Sequence, residues 1–350
     1  GFLAILEDRL MEFKEIEFRG MTLTEEDLIQ LFYYKFTETP LLKRMDAVKD
    51  YFIDSWETLK GRNISEDDQE MLQMKFDKMY TTKDIYTIYN WMLDDCGCDL
   101  LPEVPYEKRK LPYEDVFPML YLKYRLSGGN STHKNIKHLV IDEMQDYTYL
   151  QYTILESLFH CRMTILGDRA QTLDTKQQDV LRFLPKLLGR EIRTIEIKKS
   201  YRNTLEIARY AEKVSGVSDL ELLDRHGKEV VEKTFNTDTE LLDELVCHLK
   251  CPGDFETAAL LTTTEEEAFD LSRLLKLRGI NVSYVDRNSS AFKKGLTVTT
   301  FYLAKGLEFD QVFALRGAKE NPLKNQAEYI CATRALHELY VYEIANSLSK

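Results

Sequence analysis

The run VIDEMQD (140–146) ends a short apolar stretch in two adjacent carboxylates, Asp142 and Glu143. In open α/β sheets, ligands bind beyond the carboxyl ends of the strands. A carboxylate placed there can hold Mg²⁺ through its hard oxygens, and its neighbour can orient or deprotonate an attacking water. The same pair also fits an N-cap followed by a first-turn acid on the next helix, so alone it decides little. A second apolar stretch ends in ILGDRAQTLD (165–174), which brings Gly167, Asp168 and Gln171. The uncharged amide of Gln171 could sense a phosphate by hydrogen bonding. A third leads into KKSYRNT (198–204), where Tyr201 offers a stacking face and Arg202 a rigid fork of donors suited to phosphate oxygens. Further on, TTFYLAKGLEFDQV (299–312) joins two apolar stretches through a Lys-Gly-Leu-Glu loop that contains Gly306 and Glu308. Arg334 lies in EYICATRALHELYV (328–341); taken alone, it reads as a surface charge or half of an ion pair.

The elements that must carry these residues follow from periodicity. Residues 1–112 read as helical, with apolar residues three and four apart in 27–36, 44–60, 65–80 and 84–97. Ser65 with Asp68 fits an N-cap followed by an acidic first turn. The stripe Tyr86, Tyr89 and Trp91 has the spacing of helix–helix packing. Four prolines, Pro102, Pro105, Pro112 and Pro118, then mark a junction. After SGGNS (127–131) the texture becomes strand–helix alternation. Strands are expected at 138–142, 162–168, 194–197, 258–264, 281–285, 295–301, 311–315 and 339–344, and helices at 149–159, 204–214, 238–250, 265–279 and 326–338. That alternation predicts parallel sheets covered by helices. The expected organisation is a helical arm at 1–112, part of a first α/β domain at 113–192 and a second α/β domain at 193–350.

Taken together, the runs resemble the motifs of the UvrD/Rep-like superfamily 1 helicases and translocases. The resemblance covers roughly residues 136–345 and keeps the family's motif order. VIDEMQD is similar to the Walker B motif, LGDRAQT to the third motif, KKSYRNT to the fourth, TFYLAKGLEF to the fifth and YICATRA to the sixth. The resemblance implies RecA-like folds, of the P-loop NTPase type, that sandwich ATP with Mg²⁺. Residue by residue, it implies Asp142 on Mg²⁺, Glu143 as catalytic base and Gln171 coupling the γ-phosphate to domain motion. It also implies Tyr201 on the adenine, Gly306 and Glu308 in the nucleotide contacts with Glu308 at the ribose, and Arg202 and Arg334 on the γ-phosphate. Such arginines would stabilise developing phosphate charge. Single-stranded DNA is the partner the superfamily implies. The compact core, the acidic helical segment and YICATRALHEL look more like the HelD, or helicase IV-like, branch, whose members act on RNA polymerase.

The chain departs from the family pattern in several places. No G-x-x-x-x-G-K-[ST] run, the loop that cradles β- and γ-phosphates, occurs in the 350 residues. The text opens on Gly1 in mid-pattern, so a longer protein with that loop upstream is expected, and the 350 residues alone are expected to be inactive. Only about 90 residues separate Arg202 from Gly295, which leaves no room for the accessory domain of UvrD. The run TLDTKQQDVLRF lacks the aromatic and basic stretch that follows the family's third motif, and Tyr302 stands where a histidine is usual. Stacking and cationic grooves are the usual devices for holding single strands, and both are thin here.

Composition narrows the class. Charged residues make up 30% and hydrophobic residues 44%, which excludes a disordered tail or a collagen-like fibre. The net charge of −12 is concentrated at the start. Residues 1–120 hold 26 acidic and 15 basic side chains, whereas 121–350 hold 33 and 32, so the first third would repel a phosphate backbone. No apolar run approaches the ~20 residues of a membrane span, and no leader opens the chain, so a cytoplasmic location without membrane partners is expected. Of the six cysteines, Cys96-Gly-Cys98 and Cys247-x3-Cys251 with His248 lack the matching second pair of a structural zinc site. Free thiols are expected, with Cys161 and Cys331 as small core residues.

Overall fold

The computed structural model describes residues 2–129, 135–172, 180–189, 192–216, 221–250, 255–289, 294–317 and 322–345. Residues 130–131, residues 173–179 within TLDTKQQDVLRF, and Cys251 lie outside the described residues. Two compact units emerge. The first comprises Gly1–Val140, Tyr147–Thr164 and Lys186–Leu188, and the second Ile141–Asp146, Ile165–Pro185 and Gly189–Lys350.

Up to Ser127 the first unit is helical, as its spacing predicts, apart from one hairpin. It begins with α1 (Phe2–Leu10), β1 (Ile16–Phe18) and β2 (Met21–Leu23), an antiparallel pair that the sequence reading did not anticipate. Next come α2 (Glu25–Gln30), α3 (Arg44–Lys60), α4 (Glu66–Asp77), α5 (Ile85–Asp95) and α6 (Tyr113–Ser127). Ser65 caps α4 by accepting from the Asp68 amide, which satisfies one of the orphan donors of the first turn. Of the junction prolines, one starts a helix as expected and one does not break it. Pro112 is the N-cap of α6, while Pro118 sits inside that helix and removes one i→i−4 bond. Leu28, Phe32, Met45, Phe52, Trp56, Leu72, Phe76 and Tyr89 belong to one buried cluster. Tyr86 and Tyr89 are buried and Trp91 packs against the same cluster, so the aromatic stripe is core. The chain continues through β3 (His138–Ile141), α7 (Tyr149–Leu158) and β4 (Arg162–Ile165), with β3 and β4 paired, and then α8 (Val180–Leu188); the last residue of each of these strands and Val180–Pro185 of α8 are counted with the second unit. Among the described residues, no helix is long and apolar enough to cross a membrane.

The second unit is built on a six-stranded sheet. After β5 (Lys199–Ser200), α9 (Leu205–Ser215) and β6 (Glu221–Leu222) come β7 (Val231–Phe235), α10 (Asp238–Lys250), β8 (Thr257–Thr262) and α11 (Glu265–Leu277). The chain ends with β9 (Ser283–Tyr284), β10 (Gly295–Thr300), β11 (Phe309–Arg316), α12 (Lys324–Arg334) and β12 (Ala335–Ile344). The strand order is β7-β12-β11-β8-β10-β9, and every pair is parallel. Side chains alternate across the sheet, as the two-residue strand period requires. Ala259, Leu261, Val312, Ala314, Leu339 and Val341 pack with α9 and α12. Leu260, Phe313, Tyr340 and Tyr342 pack with α10 and α11 on the other face. This is the α/β class the alternation predicts, a parallel sheet with helices on both faces.

Several element boundaries differ from expectation. Residues 194–197 do not form a strand. Ile195 and Ile197 are 71% and 80% exposed, and without a ladder partner an extended run gains neither hydrogen bonds nor burial. The helix expected over 326–338 stops at Arg334, and β12 begins at Ala335. Pairing of Ala335 with Phe309 and of Glu338 with Gln311 captures these residues for the sheet. Strand β7 was not anticipated, because its burial alternates only weakly. Cys331 is buried, Cys161 half-buried, and Cys96, Cys98 and Cys247 exposed, all as free thiols. Burial pushes the Cys331 thiol up to about 12, which leaves it an inert core group.

Candidate functional site

The chemistry-bearing runs come together within the second unit, which includes Ile141–Asp146 and Ile165–Pro185 as well as the six-stranded sheet. The chain leaves β3 through Asp142 and Glu143 into a single 3₁₀ turn, Met144–Asp146. Glu143 has φ 52°, a left-handed conformation that costs a non-glycine residue about 1–3 kcal/mol. Its surroundings hold it there. The Glu143 amide donates to Asp142 Oδ1 at 2.8 Å, and Gln145 Nε2 donates to Glu143 Oε2 at 2.6 Å. The Met144 amide donates to the Leu166 carbonyl at 2.8 Å, and Gln145 Oε1 accepts from the Asp168 amide at 3.1 Å.

Gly167 makes this approach possible. A Cβ there would stand 2.5 Å from Gln145 Oε1 and 2.6 Å from the Met144 nitrogen, so any larger residue would push the two turns apart.

The third-motif run forms a second 3₁₀ turn, Arg169–Gln171, capped by Asp168. Asp168 Oδ2 accepts from Gln171 Nε2 at 3.0 Å and from the Tyr329 hydroxyl of α12 at 2.8 Å. Burial and the Asp168 charge push the Tyr329 phenol well above its usual range, so it stays a donor. Gln171 Oε1 then accepts from Arg334 Nη2 at 3.2 Å, and Arg334 Nη1 donates to the Leu307 carbonyl at 3.3 Å. Arg334 is only 3% exposed, and its Nε is buried with no hydrogen-bond partner. Burial and the charge of Arg202 lower its pKa, while Glu143 and Glu308 act in the opposite direction. Two guanidiniums and two carboxylates therefore share one electrostatic neighbourhood.

Arg202 forms an ion pair with Glu308, Nε to Oε1 at 2.8 Å. Its placement comes from the next residue, because buried Asn203 donates through Nδ2 to the Ala332 carbonyl at 3.1 Å and to the Ala335 carbonyl at 2.6 Å. These bonds tie the fourth-motif run to the C-terminal end of α12, where carbonyls lack intrahelical partners. Lys305, with a side chain only 9% exposed, forms an ion pair with Asp146 at 2.7 Å, which fastens the Lys-Gly-Leu-Glu loop to the turn that carries Glu143. Gly306 turns that loop at φ 78°. The Tyr201 ring is 62% exposed and takes no part in the inner network.

Of the residues expected from the sequence, Glu143, Gln171, Arg202, Glu308 and Arg334 are joined by direct or electrostatic contact, with Asp142 one residue away. The sequence reading gave no role to Gln145, Asp146, Asp168, Asn203, Lys305 or Tyr329. All six lie inside the quoted runs, but neither spacing nor residue type indicates which partner each would take.

The donor set suits an anionic phosphate ligand. The buried unpartnered Nε of Arg334 and the partly exposed Arg202 are cationic donors whose present acceptors are an amide, a carbonyl, a hydroxyl and one carboxylate. Among the described residues, no group of three or more His, Cys, Asp or Glu is arranged to hold a metal ion. Mg²⁺ in phosphate sites is bound through one or two carboxylates, with water and phosphate completing the shell, and exposed Asp142 fits that role.

No protein-family model and no curated protein matches the chain. Solved helicase structures are similar to it. One is the C-terminal domain of a possible DNA helicase from Lactobacillus plantarum WCFS1, at 25% identity over 41% of this chain and 88% of that one, with a TM-score of 0.34. The helicase of PRRSV matches at 16% identity over 75% of this chain and 46% of that one, with a TM-score of 0.36. The arterivirus nonstructural protein 10 helicase, solved with DNA, matches at 14% identity over 75% and 52%, with a TM-score of 0.35. The chain thus spans about half the length of the two viral helicases.

Proposed function

We propose that the chain is the C-terminal motor part of a UvrD/Rep-like superfamily 1 ATPase, built on RecA-like folds. The observation that carries this reading is the convergence of Glu143, Gln171, Arg202, Glu308 and Arg334, from five separated motif runs, in one unit. Glu143 is the general base that orients and deprotonates the attacking water, with its carboxylate aimed by Gln145. Asp142 holds Mg²⁺, which supplies positive charge beside the phosphate oxygens. Arg202 and Arg334 neutralise charge that develops during transfer, and Gln171 links Arg334 to the turn that follows β4. Tyr201 presents its exposed ring to the base, and Glu308 hydrogen-bonds the sugar. The working partner on this reading is single-stranded DNA or, for a HelD-like protein, RNA polymerase. Salt-dependent single-strand affinity supports the first partner, and co-purification with polymerase supports the second.

The test is Glu143→Gln in the full-length protein. The amide keeps the shape and removes the base, so turnover should fall by about 10²- to 10⁴-fold while ATP binding persists. Undiminished turnover in that variant would overturn the assignment. The second reading is a non-catalytic binding module; a full-length protein that lacks a G-x-x-x-x-G-K-[ST] run upstream of these residues as well as within them would favour it. It predicts that the full-length protein has no turnover to lose.

A further inference from the structure

The segment 223–228, between β6 and β7, grips the Arg202 run more closely than a plain connection requires. The Leu205 amide donates to the Arg225 carbonyl at 2.8 Å, and Arg225 Nη1 donates to the Arg202 carbonyl at 3.1 Å. The Gly227 amide donates to Glu206 Oε2 at 2.8 Å, and His226 bridges Glu206 and Asp224 at 2.8 and 3.0 Å. A Cβ on Gly227 would meet Thr204 Cγ2 at 2.5 Å, so the two backbones lie flush only because residue 227 is glycine.

Arg225 is itself anchored. Its Nη2 lies 2.8 Å from His337 Nδ1 on β12. Arginine has no acceptor, so Nδ1 must accept and the ring proton must sit on Nε2. That nitrogen is 3.7 Å from Asp310 Oδ1 at the start of β11, and the ring stacks on Phe255 with centroids 5.7 Å apart. Asp310 Oδ2 in turn accepts from the Thr257 amide at 2.9 Å and the Glu256 amide at 3.1 Å. Hydrogen bonds therefore run from the Arg202 carbonyl through Arg225 to His337 on β12, and Asp310 lies 3.7 Å beyond, outside hydrogen-bond distance of the ring.

We propose that Arg225 is a positioning residue: it fixes the backbone from which the Arg202 side chain projects, and His337, stacked on Phe255, holds it against the sheet edge. What Arg202 does in a reaction rests on the preceding functional reading; the grip of Arg225 on its backbone does not. The planar fork is essential, because one guanidinium reaches the Arg202 carbonyl and the His337 nitrogen at once. A lysine offers a single point of attachment on a flexible stem.

The experiment has two arms. The first is amide hydrogen exchange in the chain. Arg225→Ala should speed exchange at Leu205 about tenfold, the protection of roughly one hydrogen bond, while amides of β8 keep their rates. His337→Leu should act in the same direction and His337→Gln, which retains an acceptor, should not. Unchanged exchange at Leu205 in Arg225→Ala would overturn the proposal. The second arm is a double-mutant cycle on ATP turnover by the full-length protein. Arg225→Ala should lower kcat about 10- to 100-fold, as small misplacements of a reacting group do, yet cost nothing further in an Arg202→Ala background. A full additional loss in that background would mean Arg225 does not act through Arg202, and would overturn the proposal. If the parent protein does not turn over ATP, the functional reading fails, and the exchange arm alone decides the role of Arg225.

Discussion

Glu143 keeps a left-handed backbone angle, and the cost is met locally by Gln145, Asp142 and the close seat of Gly167. Strain of this kind persists where neighbours over-determine it. The neighbours here come from two different strand ends, so the conformation of Glu143 depends on how closely those ends approach. Gly167→Ala tests that dependence. The added methyl meets a backbone nitrogen and a side-chain oxygen that already bond elsewhere, so overpacking should cost about 1–3 kcal/mol. Urea denaturation checks the value, and a shift within ~0.5 kcal/mol would mean the turns can separate without loss. At this scale the residues that converge were legible in the sequence, because the carboxylates, the amide and the arginines all stand in the runs read from it. Their partners were not. Nothing in KKSYRNT tells that Asn203, rather than Arg202, locks the run to α12, and nothing in AKGLEF tells that Lys305 is neutralised by Asp146. Such pairings depend on residues 129 to 163 positions apart in the chain, which spacing cannot convey.

Among the elements, the strap around His226 carries a charge-dependent contribution with a definite sign. Its hydrogen bond to His226, with backbone donors adding, holds Glu206 down to about 2. The His226 pKa is raised by its bond to Glu206 and by the charge of Asp224. The Glu206 part is present above its ordinary value of 4.5 and is lost as pH falls toward 2. The His226 part is complete below 6.5 and is lost as pH rises through the elevated folded value. Both parts are complete together only from about pH 4.5 to 6.5. The melting-temperature gap between the parent and His226→Gln should therefore be widest in that window and shrink as pH rises through the raised folded value of His226. A gap that grew with pH would contradict the pairing. Element types were mostly legible, since periods of two and 3.6 residues leave direct marks. Boundaries were lost where tertiary pairing overrode local pattern. The clearest instance is residues 335–338, which follow a helical rhythm in the text but pair with β11 in the sheet.

Across the whole molecule, the first unit has its own buried cluster and the second has two, one on each face of its sheet. Both tryptophans of the chain belong to the first unit. Trp56 is buried in its cluster, and Trp91 packs against it beneath the Arg9 guanidinium. Intrinsic fluorescence therefore reports on the helical unit, whereas far-ultraviolet circular dichroism sums over both. Urea transitions followed by the two signals should not coincide; a single shared midpoint would mean that the clusters melt as one cooperative block. Residues 1–120 are strongly acidic, but the first unit also takes in the basic residues of 121–140, so the two units carry the same net charge, −6 each. The acidic bias of the first 120 residues is therefore local to that segment and does not distinguish the units.

The bare run at 194–197 has a consequence for handling the protein. Thr194-Ile195-Glu196-Ile197 is β-prone, contains no proline and leaves both isoleucines facing water. Segments of that kind template strand addition between molecules. In concentrated solution, this short stretch is where self-association and precipitation should begin, well before either folded core gives way.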